Sequence, residues 1–162
     1  MAIMHPLAEI SFITQNEICA IEASAGTGKT WTVERLYIRA LLEKPNLGVN
    51  NILVVTFTNN AANELKTRIL QQIKNTIKDL IYIRNNVGES SNDPFIEMFL
   101  QNRDRKHLDN DITVLTRAAQ TYDQVAIFTI HGFCTRVIKD FQVYCNVSAP
   151  IQITTGHSEI LL

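Results

Sequence analysis

Apolar residues along this chain fall into two patterns: short, nearly continuous runs, and longer stripes spaced three or four residues apart. The runs are residues 19–23 ("CAIEA"), 52–57 ("ILVVTF") and 125–129 ("VAIFT"). Runs that do not alternate with polar residues predict strands covered on both faces, as in a parallel sheet. Each is followed within a few residues by a helix-like segment, so the repeating unit is strand, polar loop, helix. After the first run, "TWTVERLYIRALLEK" places Val33, Leu36, Tyr37, Ala40 and Leu41 near one helical face before Pro45 ends it. After the second, Leu65, Ile69, Ile73, Ile77 and Leu80 form an amphipathic stripe that predicts a long helix to about Tyr82. Lys66, Arg68, Lys74 and Lys78 are left mainly on its other faces, the pattern of a solvated surface, with a nucleic-acid face as the alternative. "NNVGESSNDP" reads as a loop, and residues 95–100 and 112–122 as shorter helices. The fold class is therefore α/β, a parallel sheet flanked by helices. Residues 61–124 form a helical insertion between the second and third strands, longer than a simple crossover needs.

Composition narrows the function. The chain has 162 residues, 46% of them apolar, enough for one compact domain or part of a larger one. Fifteen basic and 16 acidic residues leave a net charge of −1, which excludes nucleic-acid binding through bulk positive charge and leaves only local contacts. Three cysteines, Cys19, Cys134 and Cys145, make neither an even disulfide set nor a CxxC knuckle, so free, mostly buried thiols in a reducing compartment are expected. With no signal peptide and no long apolar span, a cytoplasmic protein with no membrane partner is expected.

The chemistry lies at the ends of the runs. "ASAGTGKT" (residues 23–30) satisfies the phosphate-loop pattern with Ala23 in place of its first glycine. In such a loop Ala23, Ser24, Ala25, Gly26, Thr27 and Gly28 wrap backbone N–H groups around phosphate oxygens, and the following helix adds its positive N-terminal dipole. Lys29 then reaches the β- and γ-phosphates of ATP, and the Thr30 hydroxyl helps hold Mg²⁺. The second run leads into "TFTNNAANEL" and the third into "FTIHGFCTRVI". Both offer hydroxyls, an amide or imidazole, and an aromatic ring at a strand's carboxyl end, which suits single-stranded nucleic acid. His131 and Cys134, three apart, lack an evident third group and read poorly as a nucleophile and its base.

Together "IEASAGTGKT", "LVVTFTNNAANELKTRI" and "VAIFTIHGFCTRV" resemble motifs I, Ia and Ib of superfamily 1A DNA helicases, the UvrD/Rep class. Within that class they resemble most closely the RecB, or exodeoxyribonuclease V beta, family. The resemblance implies a P-loop NTPase (RecA-like) motor lobe, formed by residues 1–60 and 125–162, with residues 61–124 as its helical insertion. It implies ATP and Mg²⁺ as cofactors, and single-stranded or duplex DNA and the other subunits of a RecBCD-like complex as partners. It also implies a parent enzyme that hydrolyses ATP to translocate on single-stranded DNA in double-strand-break repair and recombination. Thr56, Phe57, Thr58 and Asn59 take the positions of motif Ia that contact the single strand, and Asn60 stands where the family often carries Lys or Glu. Thr129, His131 and Gly132, with Phe133 beside them, take those of motif Ib. Gln15 lies near the position of the family's adenine-reading glutamine. An apolar run ending in Asp-Glu and the later arginine motifs are missing, so the chain reads as an N-terminal fragment with an incomplete motor lobe, inactive alone. The alternatives are a small P-loop phosphotransferase and a non-catalytic ATP-binding interaction module.

Overall fold

A computed structural model describes residues 20–21, 26, 28–86, 91, 93–101 and 104–142. These are mostly helical around a small parallel sheet. In chain order they form helix α1 (Lys29–Glu43), strand β1 (Val54–Thr56) and helix α2 (Asn59–Asn85). Helices α3 (Pro94–Gln101) and α4 (Leu108–Gln120), strand β2 (Ile127–Thr129) and helix α5 (Ile130–Asp140) follow. The strands pair in parallel with Val54 opposite Ile127, Val55 opposite Phe128 and Thr56 opposite Thr129. Of the run expected as a further strand at residues 19–23, Ala20 and Ile21 are described and are not in a strand, and the rest lies outside the described residues.

Helix α1 starts at Gly28, whose φ of 87° is left-handed, and stops where Lys44 precedes Pro45, a position that disfavours helical backbone. Its buried face is rotated from the expected stripe. Tyr37, Ile38, Leu41 and Leu42 are buried, as are Thr32, Glu34 and Arg39, whereas Val33, Leu36 and Ala40 are only half-buried. Apolar periodicity misplaces the face because charged side chains with ionic partners are buried on it.

Helix α2 buries the expected Leu65, Ile69, Ile73 and Leu80, with Ile77 half-buried. It also buries Gln72, Thr76 and Ile83, because both α1 and α4 pack against it. It runs three residues past Tyr82, where the backbone and side-chain N–H groups of Asn86 both donate to the Tyr82 carbonyl and close the last turn. Of its cations, Lys74 and Lys78 are exposed as expected of a solvated face. One hydrophobic core joins α1, α2, α3, α4 and β2, with Ile69, Ile73, Leu115 and Ile127 fully buried. Burying each such side chain contributes about 1.5–3 kcal/mol.

Coverage of the strands on both faces is not what the described residues show. Period-two alternation splits the run 52–57 into Ile52 and Val54, which pack on the core, and Leu53, Val55 and Phe57, which are 47%, 44% and 87% exposed. Cys134, expected to be buried, is exposed on α5, a helix with no buried residue; Cys19 and Cys145 lie outside the described residues. Among the described residues no helix is long and apolar enough to cross a membrane.

Two tyrosines tie the layers together. The Tyr37 hydroxyl donates to the Val49 carbonyl at 3.2 Å, and that of Tyr122 to the Lys66 carbonyl at 2.7 Å. Burial raises the pKa of both phenols above the ordinary 10.0, since a phenolate there is poorly solvated. The stability this reflects is fully present below the unfolded value and is lost as pH rises from there towards the raised folded value. The melting temperature is therefore expected to fall as pH passes about 10, and to fall less in a Tyr37→Phe/Tyr122→Phe variant. Thermal melts followed by circular dichroism across that range check it; equal pH slopes in the two proteins would contradict the assignment.

Candidate nucleotide and single-strand site

Both strands end in the same device. At the end of β1, Thr58 caps α2, its hydroxyl oxygen accepting from the Ala61 N–H at 3.1 Å. At the end of β2, Thr129 caps α5, accepting from the Gly132 N–H at 3.1 Å. Each cap satisfies one of the free donors of a helix's first turn. Gly132 allows the close approach, because a Cβ there would lie 3.1 Å from the Thr129 hydroxyl oxygen. The Thr56 hydroxyl donates to the Thr58 carbonyl at 3.1 Å and lies 3.5 Å from the Phe128 carbonyl, bridging the two strand ends.

Because Thr56 and Thr129 are in register, the two motif-like segments lie side by side at the carboxyl end of the sheet. Phe57, Thr58, Asn59 and Asn60 are exposed on one side, and His131 and Gly132 on the other, with Phe133 half-buried. Phe57 is 87% exposed, so it is not a core residue of its strand. Phe128 lies between two cations, with the Lys66 ammonium 5.8 Å and the Arg136 guanidinium 5.2 Å from its ring centre.

The glycine loop approaches this surface from α1. Gly26 and Gly28 both have positive φ, 78° and 87°, the conformation that turns successive N–H groups inward. Lys29 and Thr30 then line a cleft of about 180 Å³ with Val33, Thr56, Ala61, Glu64 and Leu65. The loop helix, the end of β1 and the first turns of α2 thus share one wall. Gln15, Ala23, Ser24, Ala25 and Thr27 lie outside the described residues.

Sequence reasoning missed Glu64, which brings a carboxylate to the cleft beside Lys29 and Thr30. Its spacing of four from Arg68 was the available signal, and the two are paired at 3.3 Å. Arg68, expected on a solvated face, gives its Nε–H to Glu34 at 2.6 Å. That hydrogen bond and the charge of Glu34 raise its pKa further. Oxygen donors at the cleft, the Thr30 hydroxyl and the Glu64 carboxylate, fit a hard cation such as Mg²⁺ bound mainly by phosphates and water. Among the described residues no group of three or more His, Cys, Asp or Glu is placed to hold a metal by itself.

The chain belongs to the UvrD/REP helicase N-terminal domain family, whose model matches residues 7–159. It is similar to the RecBCD enzyme subunit RecB of Haemophilus influenzae, 36% identical over 170 aligned residues that cover all of this chain and 14% of that protein. The RecB subunit of Buchnera aphidicola subsp. Schizaphis graminum is 41% identical over 89% of this chain and 12% of its own length. That of Escherichia coli is 40% identical over 73% of this chain and 10% of its own length. The chain thus spans a small part, 10–14%, of these relatives.

Thr129→Ala is expected to lower stability by about 0.5–2 kcal/mol through loss of the α5 cap, with Thr129→Asn close to wild type. Urea unfolding of the three proteins measures this; an Ala variant as stable as wild type would show that the cap carries no weight.

Proposed function

We propose that the chain is the ATP-binding part of the first motor lobe of a RecB-like DNA helicase. Residues 1–60 and 125–162 contribute to the P-loop NTPase (RecA-like) lobe and residues 61–124 to its helical insertion. The carrying observation is the convergence of three segments: Lys29 and Thr30 line one cleft with Thr56, and Thr56 is paired in register with Thr129. ATP and the strand it acts upon would therefore meet on opposite sides of a single strand end.

In this reading the loop from Ala23 to Gly28 wraps the phosphates and Lys29 neutralises the β- and γ-phosphate charge. The Thr30 hydroxyl would be a ligand of Mg²⁺, and Gln15 would contact the adenine. Bound Mg²⁺ supplies neutralisation of the charge that develops on the transferring phosphate. Thr56, Phe57, Thr58 and Asn59 with Thr129, His131 and Gly132 take the single strand, Phe57 stacking on a base. The Thr58 and Thr129 oxygens are engaged as caps, so their contribution is the orientation of exposed N–H groups and of their own O–H donors.

Hydrolysis in this class needs an Asp-Glu pair, which does not occur in these residues, so the chain by itself binds nucleotide without turning it over. The parent couples hydrolysis to movement along single-stranded DNA in double-strand-break repair and recombination, in the cytoplasm, with the other subunits of a RecBCD-like complex.

Trp31, the single tryptophan, follows Thr30 directly and packs against Arg35 and Phe95 outside the cleft lining, so it would report nucleotide through α1. Its fluorescence is expected to change with ATP·Mg²⁺ and to titrate at least about tenfold more weakly in Lys29→Ala, the worth of a charge-assisted contact of about 1.5–3 kcal/mol. No saturable change in wild type, or an unchanged titration in the variant, would overturn the nucleotide site. Phe57→Ala is expected to weaken binding of a labelled oligo-deoxythymidine by about 1–3 kcal/mol in fluorescence anisotropy. Unaltered binding by a folded variant would remove Phe57 from the interface.

A further inference from the structure

Glu34 is a buried carboxylate that neither the phosphate loop nor the strand-end surface accounts for. Its side chain is 6% exposed. One oxygen accepts from Arg35 at 2.9 Å and the other from Arg68 at 2.6 Å. Arg35 belongs to α1, as Glu34 does, whereas Arg68 belongs to α2. The Glu34–Arg68 pair therefore crosses from the helix that begins at the glycine loop to the helix that begins at the motif Ia-like strand end.

The spacing on each helix sharpens this. Thr30 and Glu34 are four apart on α1, and Glu64 and Arg68 are four apart on α2, so within each pair the side chains share a face one turn apart. Thr30 and Glu64 both line the cleft, and Glu64 reaches Arg68 at 3.3 Å. Arg68 is thus shared between Glu64 at the cleft and Glu34 behind it. An anionic phosphate beside Lys29 and Thr30 acts on Glu64 at short range, and through Glu64 on the share of Arg68 that Glu34 holds.

Much of the remaining buried surface of these helices is apolar, and its attraction is non-directional. The Glu34–Arg68 pair adds a directional contact, because the buried carboxylate meets the half-exposed guanidinium in one register of the two helices. We infer that Glu34 and Arg68 are positioning residues that couple nucleotide in the cleft to single-strand binding at Phe57, by holding the register of α1 against α2. This rests on the function proposed above.

The test uses the full chain and measures the affinity of a labelled oligo-deoxythymidine with and without saturating ATP·Mg²⁺. Wild type is expected to show about a fivefold or larger ratio between the two, the usual lower range of coupling between sites. Glu34→Gln and Arg68→Gln bring the ratio close to one while Trp31 fluorescence still reports ATP binding, and Arg68→Lys, which keeps the charge, retains part of the ratio. Should Glu34→Gln fail to fold by circular dichroism, Arg68→Gln decides alone, since Arg68 is 45% exposed and tolerates replacement better.

A folded Arg68→Gln that keeps the wild-type ratio overturns the inference. So does a variant in which both affinities fall together at constant ratio, because the pair would then be structural only. Wild type that binds both ligands without coupling sinks the inference and leaves the function standing. Wild type that binds neither ligand sinks both.

Discussion

Helix α1 carries a negative charge into the interior, and the arrangement of three helices follows from the need to neutralise it. Desolvating a carboxylate costs several kcal/mol, and its attraction to a guanidinium offsets that only with close, hydrogen-bonded geometry. Glu34 has such geometry twice, with Arg35 and Arg68. Arg35 passes the constraint on: its other nitrogen reaches Asp93 at 2.7 Å, and its guanidinium lies 4.4 Å from the Trp31 ring centre. Asp93 in turn accepts from the Gln72 side chain and from the Phe95 N–H at the start of α3. A line of complementary charges thus connects α1, α2 and the first turn of α3. Replacing one member would remove part of the compensation of the next.

The sheet depends on the same helices for only one of its faces. Ile127 is fully buried against them, while Val55, opposite Phe128 on the neighbouring strand, is half-exposed. What β1 and β2 provide is position. β2 ends in Thr129, which caps α5, and β1 is followed two residues on by Thr58, which caps α2, so backbone N–H groups and small polar side chains from two distant parts of the sequence emerge next to one another. At β2 the residue that terminates the strand also satisfies the helix it begins, and at β1 the cap follows the strand by two residues.

How far this could be read from the residues depended on whether one force acted alone. The α2 stripe was legible because Leu65, Ile69, Ile73 and Leu80 are buried for their apolarity, with no competing interaction. The positions of β1 and β2, and the glycine loop opening α1, were legible for the same local reasons. The face of α1 was not, because Glu34 and Arg39 are buried by partners, Arg68 and Glu43, that periodicity does not represent. Arg68 is exposed as its place on the other faces of α2 predicts, but that position says nothing about the carboxylate it reaches. Glu64 escaped notice because only the packing of α2 against the loop helix brings it to the cleft. Burial of Cys134 was inferred from residue type alone, and α5 has no buried face to receive it.

Phe57 bears on function because folding does not explain its position. An aromatic ring 87% exposed at the end of a strand contributes little to the core, and its neighbours in the run, Val54 and Thr56, already anchor the chain. Single exposed apolar residues are common on surfaces and by themselves carry no message. Here the ring stands one residue from the cap of α2 and beside a strand end in register with a second capped helix. The same strand end borders the cleft lined by Lys29 and Thr30. On the function proposed above, an exposed ring, two capped helix starts and the Lys29 end of α1 would serve base contact, backbone contact and nucleotide contact. Thr56 joins these features, since it lines the cleft with Lys29 and pairs with Thr129, and that juxtaposition carries more weight than any one feature alone.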